Sequence, residues 1–217
     1  MIKIENVVAP STEQWEAIIR GCRNPMNSWG KSDSFYPEEY RYGDLPSDAV
    51  DIGDNDLNLM KRLCSAGTDH RKFMRMITVY VDITAPLYWL KEMDQYKVGT
   101  VSNSCSTMHK IHAKEFTLDD FSCEYLYAPL QDLRPTIDLL NMYRERYLET
   151  KDKSDWYQII QLLPNSYNQR RTYLLNYEVL ANIYKSRRNH KLDEWVEFCA
   201  WIKTLPYSEL ITGEKAE

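Results

Sequence analysis

The sequence predicts an α+β fold, and three observations predict it. Ile77, Val79, Val81 and Ile83 alternate with Thr78, Tyr80 and Asp82, the period of a strand with one apolar face. Elsewhere apolar residues recur at helical spacing, as do Trp195, Phe198, Cys199 and Ile202 near the C-terminus. The strand-like and helix-like segments do not alternate evenly, which argues against a sheet wound from βαβ units. A chain of 217 residues that is 43% hydrophobic suits one domain, 1–217, with a real core.

The formal charge of −5 disfavours general nucleic-acid binding. Five cysteines, Cys22, Cys64, Cys105, Cys123 and Cys199, are widely spaced and odd in number, with no CxxC. Neither a zinc site nor a disulfide framework is expected from them, and a reducing cytoplasm is. With no signal peptide and no run of 18 apolar residues, the expectation is a soluble protein with no membrane partner. Sixteen tyrosines and six tryptophans suit either ligand stacking and oligomer interfaces or an ordinary core.

In chain order, IKIENVV reads as a short strand ended by Pro10, and Ser11-Thr12-Glu13-Gln14 as a cap before a helix through Trp15, Ile18, Ile19 and Cys22. Residues 24–56 are an irregular excursion holding Pro25, Pro37, Pro46, Gly43 and Gly53, long for a connection inside a compact domain. A helix follows from Asp54–Asp56 through Leu57, Met60, Leu63 and Cys64 to Gly67. The basic segment Thr68–Arg75 leads into the 77–83 strand. Thr84 is the expected cap of the next helix, with Pro86 in its first turn and Leu87, Leu90 and Met93 marking its period. Thr100–Thr107 carries five hydroxyls, one thiol and Asn103 in eight residues. Such a loop either presents donors to a ligand or satisfies its own backbone. Thr117–Asp120 reads as the opening of a short helix. Further helices are expected over 130–148, 156–163, 169–186 and 192–203, with Pro164 as a break.

If 169–186 and its continuation are helical, Asn176 and Arg187 lie eleven residues and hence about 20° apart around the axis. Between residues 168 and 191 stand Arg170, Arg171, Lys185, Arg187, Arg188 and Lys191, with Glu178 the one acid. This is either an electropositive site for a phosphate or ionised ring, or a solvated basic face. Of the four histidines, His70, His109, His112 and His190, none sits in an HExxH, so no metal is expected. GxSxG, GxGxxG and GxxxxGK[ST] are absent as well.

Two stretches together resemble the flavin-dependent thymidylate synthases (the ThyX family). The first is Ile83-Thr84-Ala85-Pro86-Leu87-Tyr88, then Gln95-Tyr96-Lys97 and the loop to Thr107. The second is Leu163-Pro164 followed by Arg170, Asn176 and Arg187, with His70 ahead of the strand. The resemblance covers roughly residues 57–200. It implies a central mixed or antiparallel sheet flanked by helices, with long C-terminal helices. The chain departs from the family pattern at its signature. Arg-His-Arg is Gln95-Tyr96-Lys97, the signature serine falls on Cys105, the glutamate on Asn103 and the later arginine on Thr107. Pro-Phe-Glu-His ahead of the strand is Phe73-Met74-Arg75-Met76. Lysine supplies a point charge without the planar fork of arginine, and glutamine donates without charge.

The resemblance implies conversion of dUMP to dTMP, with methylenetetrahydrofolate as one-carbon donor and FAD reduced by NADPH. It implies catalytic roles for Lys97 and Arg187. It gives cofactor contacts to His70, Gln95, Tyr96, Asn103 and Asn176, and substrate contacts to Arg71, Ser104, Cys105, Ser106, Arg170 and Arg187. Cys105 need not act as a nucleophile. His70, Arg71, Lys72 and Arg75 are candidates to replace the missing arginine charge. The family also implies a homotetramer with shared sites. Two alternatives stand beside this: a flavin- or pyrimidine-nucleotide-binding homologue with a different or lost activity, and a non-enzymatic structural or nucleic-acid-associated oligomer.

Overall fold

The structure is a computed structural model that describes residues 2–36 and 50–214. The fold is α+β. Strands β1 (Lys3–Val8), β2 (Thr78–Pro86), β3 (Val101–Ser104) and β4 (Asn168–Asn176) form one sheet in the order β1-β2-β4-β3. The helices are α1 (Thr12–Arg23), α2 (Asp54–Ser65), α3 (Leu87–Met93), α4 (Pro129–Thr150), α5 (Lys153–Leu162), α6 (Tyr177–Arg187), α7 (Asp193–Ile202) and α8 (Glu209–Thr212). Among the described residues no helix is long and apolar enough to cross a membrane.

Register follows from two backbone bonds. Tyr177 N–H donates to the Ile77 carbonyl at 3.0 Å, and Leu87 N–H to the Tyr167 carbonyl at 3.0 Å. From 77 to 87 along β2 the partner moves back from 177 to 167, so β2 and β4 run antiparallel. The same register sets Asp82 opposite Thr172, whose hydroxyl donates to the Asp82 carboxylate.

The chain divides into two compact units. One comprises Met1–Glu5, Asp82–Gln95 and Ser102–Thr172. The other comprises Asn6–Val81, Tyr96–Val101 and Tyr173–Glu217. All four strands cross these boundaries in sequence, so each unit holds part of each strand.

In the first unit the α4–α5 hairpin supplies the apolar mass. Leu133, Ile137, Leu140 and Ile159 pack with Ile111, Phe116 and Phe121. Trp89, Leu90 and Met93 of α3 are also buried. In the second unit Ser11 caps α1 with a complete capping box, as its Ser-x-x-Gln spacing predicts. Trp15, Ile18 and Ile19 of α1, Met60 of α2, and Trp195, Phe198 and Ile202 of α7 are buried. The buried Arg23 guanidinium pairs with buried Asp56 at the start of α2. That carboxylate also accepts from the hydroxyls of Ser32 at 2.7 Å and Ser34 at 2.6 Å.

Several expectations are corrected. Residues 168–176 form a strand, so the helix expected over 169–186 begins only at Tyr177. Asn176 is its N-cap and not an interior residue, and α6 and α7 span eleven and ten residues. The cause is alternation: Gln169, Tyr173 and Leu175 are buried, while Arg170 and Thr172 are exposed. β2 likewise continues to Pro86, because Ala85 extends the buried series of Val79, Val81 and Ile83. Thr84 is therefore in the strand, and Pro86 is the cap residue of α3. Val101–Ser104, read as loop, is a strand exposed on every side chain. Within the 24–56 excursion, Asn24–Met26 and Trp29–Lys31 form short 3-10 turns and Phe35 pairs with Asp51. Pro37, Gly43 and Pro46 lie outside the described residues.

Candidate functional site

In the second unit the turn after Gln95 is held by Asn176. The Asn176 side-chain oxygen accepts from Val179 N–H at 2.9 Å and caps α6. Its amide nitrogen donates to the carbonyls of Val98 at 3.2 Å and Gly99 at 3.3 Å. Gly99 adopts φ +70°, and a Cβ there would lie 2.5 Å from the Asn176 amide nitrogen. Glycine is required at this position for both its conformation and its close approach. The buried Asn176 side chain thus joins the turn to the helix start, and both of its polar atoms are engaged.

The other end of α6 meets the same turn. Arg187 Nε donates to the Tyr96 hydroxyl at 2.9 Å, and Arg187 Nη1 lies 2.9 Å from His190 Nε2. The guanidinium stacks 4.8 Å from the Trp195 ring centroid and 5.8 Å from that of Tyr96. Tyr96 and Trp195 meet edge-on at 5.9 Å. Lys97 is exposed, next to Tyr96 in the turn. α6 therefore meets the 96–99 turn at both ends, its cap Asn176 at Val98 and Gly99 and its last residue Arg187 at Tyr96.

A different face of α6 borders a cavity of about 640 Å³, lined in part by Arg71, Asn182, Lys185 and Arg188. Arg187 lies about 100° around the axis from Arg188, which keeps it off this wall. Arg71 Nη2 donates to buried Glu178 Oε1 at 3.0 Å and to Asn182 at 3.4 Å, and Arg71 Nε lies within ion-pair distance of Glu178 Oε2 at 2.8 Å without hydrogen-bond geometry. Lys61 pairs with Glu209 at 3.4 Å and Arg188 with Glu214 at 3.8 Å. Lys185 makes no ion pair among the described residues. Guanidinium, ammonium and amide donors in a cavity of this size suit a large phosphorylated ligand such as a flavin dinucleotide. His70 is exposed in the preceding turn, its N–H bonded to the Gly67 carbonyl at 3.0 Å.

The remaining candidates belong to the first unit. Gln95 is exposed, and its amide donates weakly to the Lys91 carbonyl at 3.4 Å. Asn103, Ser104, Cys105 and Ser106 are all exposed. Cys105 N–H donates to the Arg170 carbonyl at 2.9 Å, and its own carbonyl accepts from Gln169 at 2.8 Å. Ser106 Oγ accepts from His109 N–H at 2.9 Å. Arg170 pairs with Asp82 at 2.6 Å and Arg171 with Asp94 at 2.7 Å.

Three residues of these arrangements escape sequence reasoning. His190 and Trp195 around Arg187 lie three and eight positions downstream of it, and Trp195 reads as core because it also is core. Asn182 carries no motif and is placed only by helix phase.

This order of strands and helices is the fold of the flavin-dependent thymidylate synthases. Flavin-dependent thymidylate synthase ThyX from Helicobacter pylori, complexed with FAD and dUMP, superposes with a TM-score of 0.64 at 15% identity, covering 98% of this chain and 97% of that one. A second structure of the Helicobacter pylori protein with FAD and dUMP gives 0.63 at 16% identity, covering 98% and 96%. The UMP/dUMP methylase PolB from Streptomyces cacaoi, bound with 5-Br dUMP, gives 0.56 at 13% identity, covering 98% and 92%. No family model and no curated protein matches the sequence. The likeness is one of fold, retained at low identity.

Proposed function

We propose that the chain is a flavin-dependent methyltransferase of thymidylate-synthase type. In this reading it converts dUMP to dTMP with methylenetetrahydrofolate as one-carbon donor, FAD as cofactor and NADPH as reductant. It acts as a homotetramer with shared sites in the cytoplasm. The observation that carries the reading is the Tyr96–Arg187 contact, which joins the altered signature turn to the end of α6 in a chain with the fold of proteins that bind FAD and dUMP.

The flavin, when bound, supplies the hydride that completes the methyl group. Asn182, Lys185 and Arg188 supply donors that suit its phosphates, and Arg71, which the resemblance gives to substrate, borders the same cavity and in this reading serves the cofactor. Lys97 presents an ammonium to the nucleotide, and Arg187 stabilises charge developing on the uracil carbonyl oxygens. Tyr96 and Trp195 fix the Arg187 plane, so it need not reorganise during the reaction. Asn176 is a positioning residue that sets the height of the Lys97 turn. His70, Gln95 and Asn103 are exposed and available to the cofactor, and Ser104, Cys105 and Ser106 to the substrate.

A second reading rests on a specific observation. Arg71 and Arg170, both assigned to substrate by resemblance, are each held by a carboxylate. A homologue that binds flavin or a pyrimidine nucleotide but carries out another reaction would have the same arrangement. Tritium release from dUMP labelled at C5, in the presence of FAD, NADPH and methylenetetrahydrofolate, separates the two. Release that is lost in Arg187→Ala supports the synthase. Nucleotide binding without release supports the second reading, and neither binding nor release contradicts both.

A further inference from the structure

A second cavity, of about 290 Å³, lies wholly within the first unit between the Met108–His112 segment and the α4–α5 corner. Its walls include His109, His112, Tyr147, Lys151, Lys153 and Trp156. We propose that it binds a nucleoside monophosphate, with the base against Trp156 and the phosphate at Lys151 and Lys153.

The volume is at the low end for ligand sites, enough for one base and one phosphate but not a dinucleotide. The aromatic wall is fixed in advance. Trp156 Nε1 donates to the Met108 carbonyl at 3.0 Å, so the indole need not be ordered when a base arrives. His112 and Tyr147 brace each other edge-on at 4.9 Å.

The charge is one-sided. Lys151 Nζ lies 5.6 Å from the Tyr147 ring centroid and Lys153 Nζ 5.3 Å from that of Tyr157, both on exposed side chains. Neither is engaged by a carboxylate among the described residues. No carboxylate is among the residues lining the cavity; Asp152 accepts from Ser154 N–H at 2.8 Å, and buried Asp155 pairs with Arg146 at 3.2 Å. Burial, and then Lys151, Lys110 and Arg144, hold the His112 imidazole below its ordinary pKa. Its Nδ1 is buried with no hydrogen-bond partner.

Lys151 also stands where its backbone disfavours it. It is the C-cap of α4 at φ +59°, a left-handed position where glycine or asparagine is usual. A lysine at a left-handed cap, lining the cavity, suits a ligand for its ammonium.

The test is calorimetric titration of the intact protein with AMP, adenosine and inorganic phosphate. AMP is used because it is not a substrate of the proposed methylation. AMP is expected to bind about tenfold or more tightly than either fragment, as stacking and charge act together. Lys151→Gly removes the ammonium and relieves the strained cap. It should therefore melt at a higher temperature than the parent while binding AMP at least about fivefold more weakly. Lys153→Ala should weaken AMP similarly, and Trp156→Leu should remove the advantage of AMP over phosphate. Flavin content and the dUMP-induced shift of the flavin band, measured alongside, should be unchanged in all three. AMP binding no tighter than adenosine, or unaltered in Lys151→Gly and Lys153→Ala, would overturn the proposal. An oligothymidylate that binds far more tightly than AMP through the same lysines would overturn it in favour of single-stranded nucleic acid.

Discussion

Arg187 Nε and the Tyr96 hydroxyl are 2.9 Å apart, so the turn after Gln95 is hydrogen-bonded to the last residue of α6. The phenol brings no charge, but it aims one. Tyr96→Phe keeps the ring contact with Trp195 and removes this bond alone. The expected cost in stability is about 1 kcal/mol, with dUMP binding weakened about five- to tenfold. Arg187→Lys should lose more, because a point charge cannot make the stacked, forked contact. Thermal melts and dUMP titrations of both variants check this.

Asn176 and Gly99 form the second joint of the turn. Asn176→Ala removes the α6 cap, worth about 1 kcal/mol, and two hydrogen bonds to carbonyls of exposed residues, which water can partly replace, for a total of about 1–2 kcal/mol. Gly99→Ala forces a side chain onto the Asn176 amide at positive φ and should destabilise by a similar amount. Chemical denaturation measures both. A loss below about 0.5 kcal/mol in each would show that the turn is held by something else.

Arg71→Ala alone is a poor probe of ligand binding, because it leaves buried Glu178 unpaired. The loss expected is about 3–5 kcal/mol whether or not a nucleotide is bound. The double variant Arg71→Met/Glu178→Leu removes both charges and should recover most of that stability. If it folds well but no longer takes up flavin, Arg71 serves the cofactor as well as the fold. Unchanged uptake would assign Arg71 to the fold alone.

The Arg23–Asp56 pair sets an acid limit on stability. Burial pushes the Asp56 carboxyl upward, but hydrogen bonds from Ser34, Ser32 and Arg23 outweigh it and hold the pKa below the ordinary value. A carboxyl lowered in the folded state stabilises above its unfolded pKa, and that contribution disappears as pH falls through the folded one. The acid limb of the stability profile should therefore flatten in Arg23→Met/Asp56→Leu. Asp56→Asn should be destabilised by about 3–5 kcal/mol near neutrality, since Arg23 stays charged and buried. Melting temperatures across an acid pH series test both.

Much of this is legible in the sequence. The 77–83 alternation placed β2, the Ser11 box placed α1, and the spacing of Trp195, Phe198, Cys199 and Ile202 placed α7 on its buried face. In each case one physical pattern acts alone. Over residues 169–176 two patterns overlap, and the strand is hidden by a helical one. Tyr173, Tyr177, Leu180 and Tyr184 keep helical spacing across the strand–helix junction. The inward strand face also carries Gln169, a polar residue buried by its bond to the Cys105 carbonyl. The exposed edge of β3 has no apolar face to reveal it. Within the site, the meeting of Arg187 with the signature turn could be anticipated, but from a wrong helix. The roles of Asn176 and Arg71 could not, since capping and pairing with Glu178 depend on neighbours far off in sequence.

The most direct test of the central claim, a pyrimidine nucleotide bound beside a flavin near Lys97 and Arg187, is the visible absorption spectrum of the purified protein after reconstitution with FAD, before and after dUMP. A flavin band that persists through desalting, shifts on adding dUMP and no longer shifts in Arg187→Ala is the predicted result. A protein that stays colourless after FAD is added and ignores dUMP would contradict it.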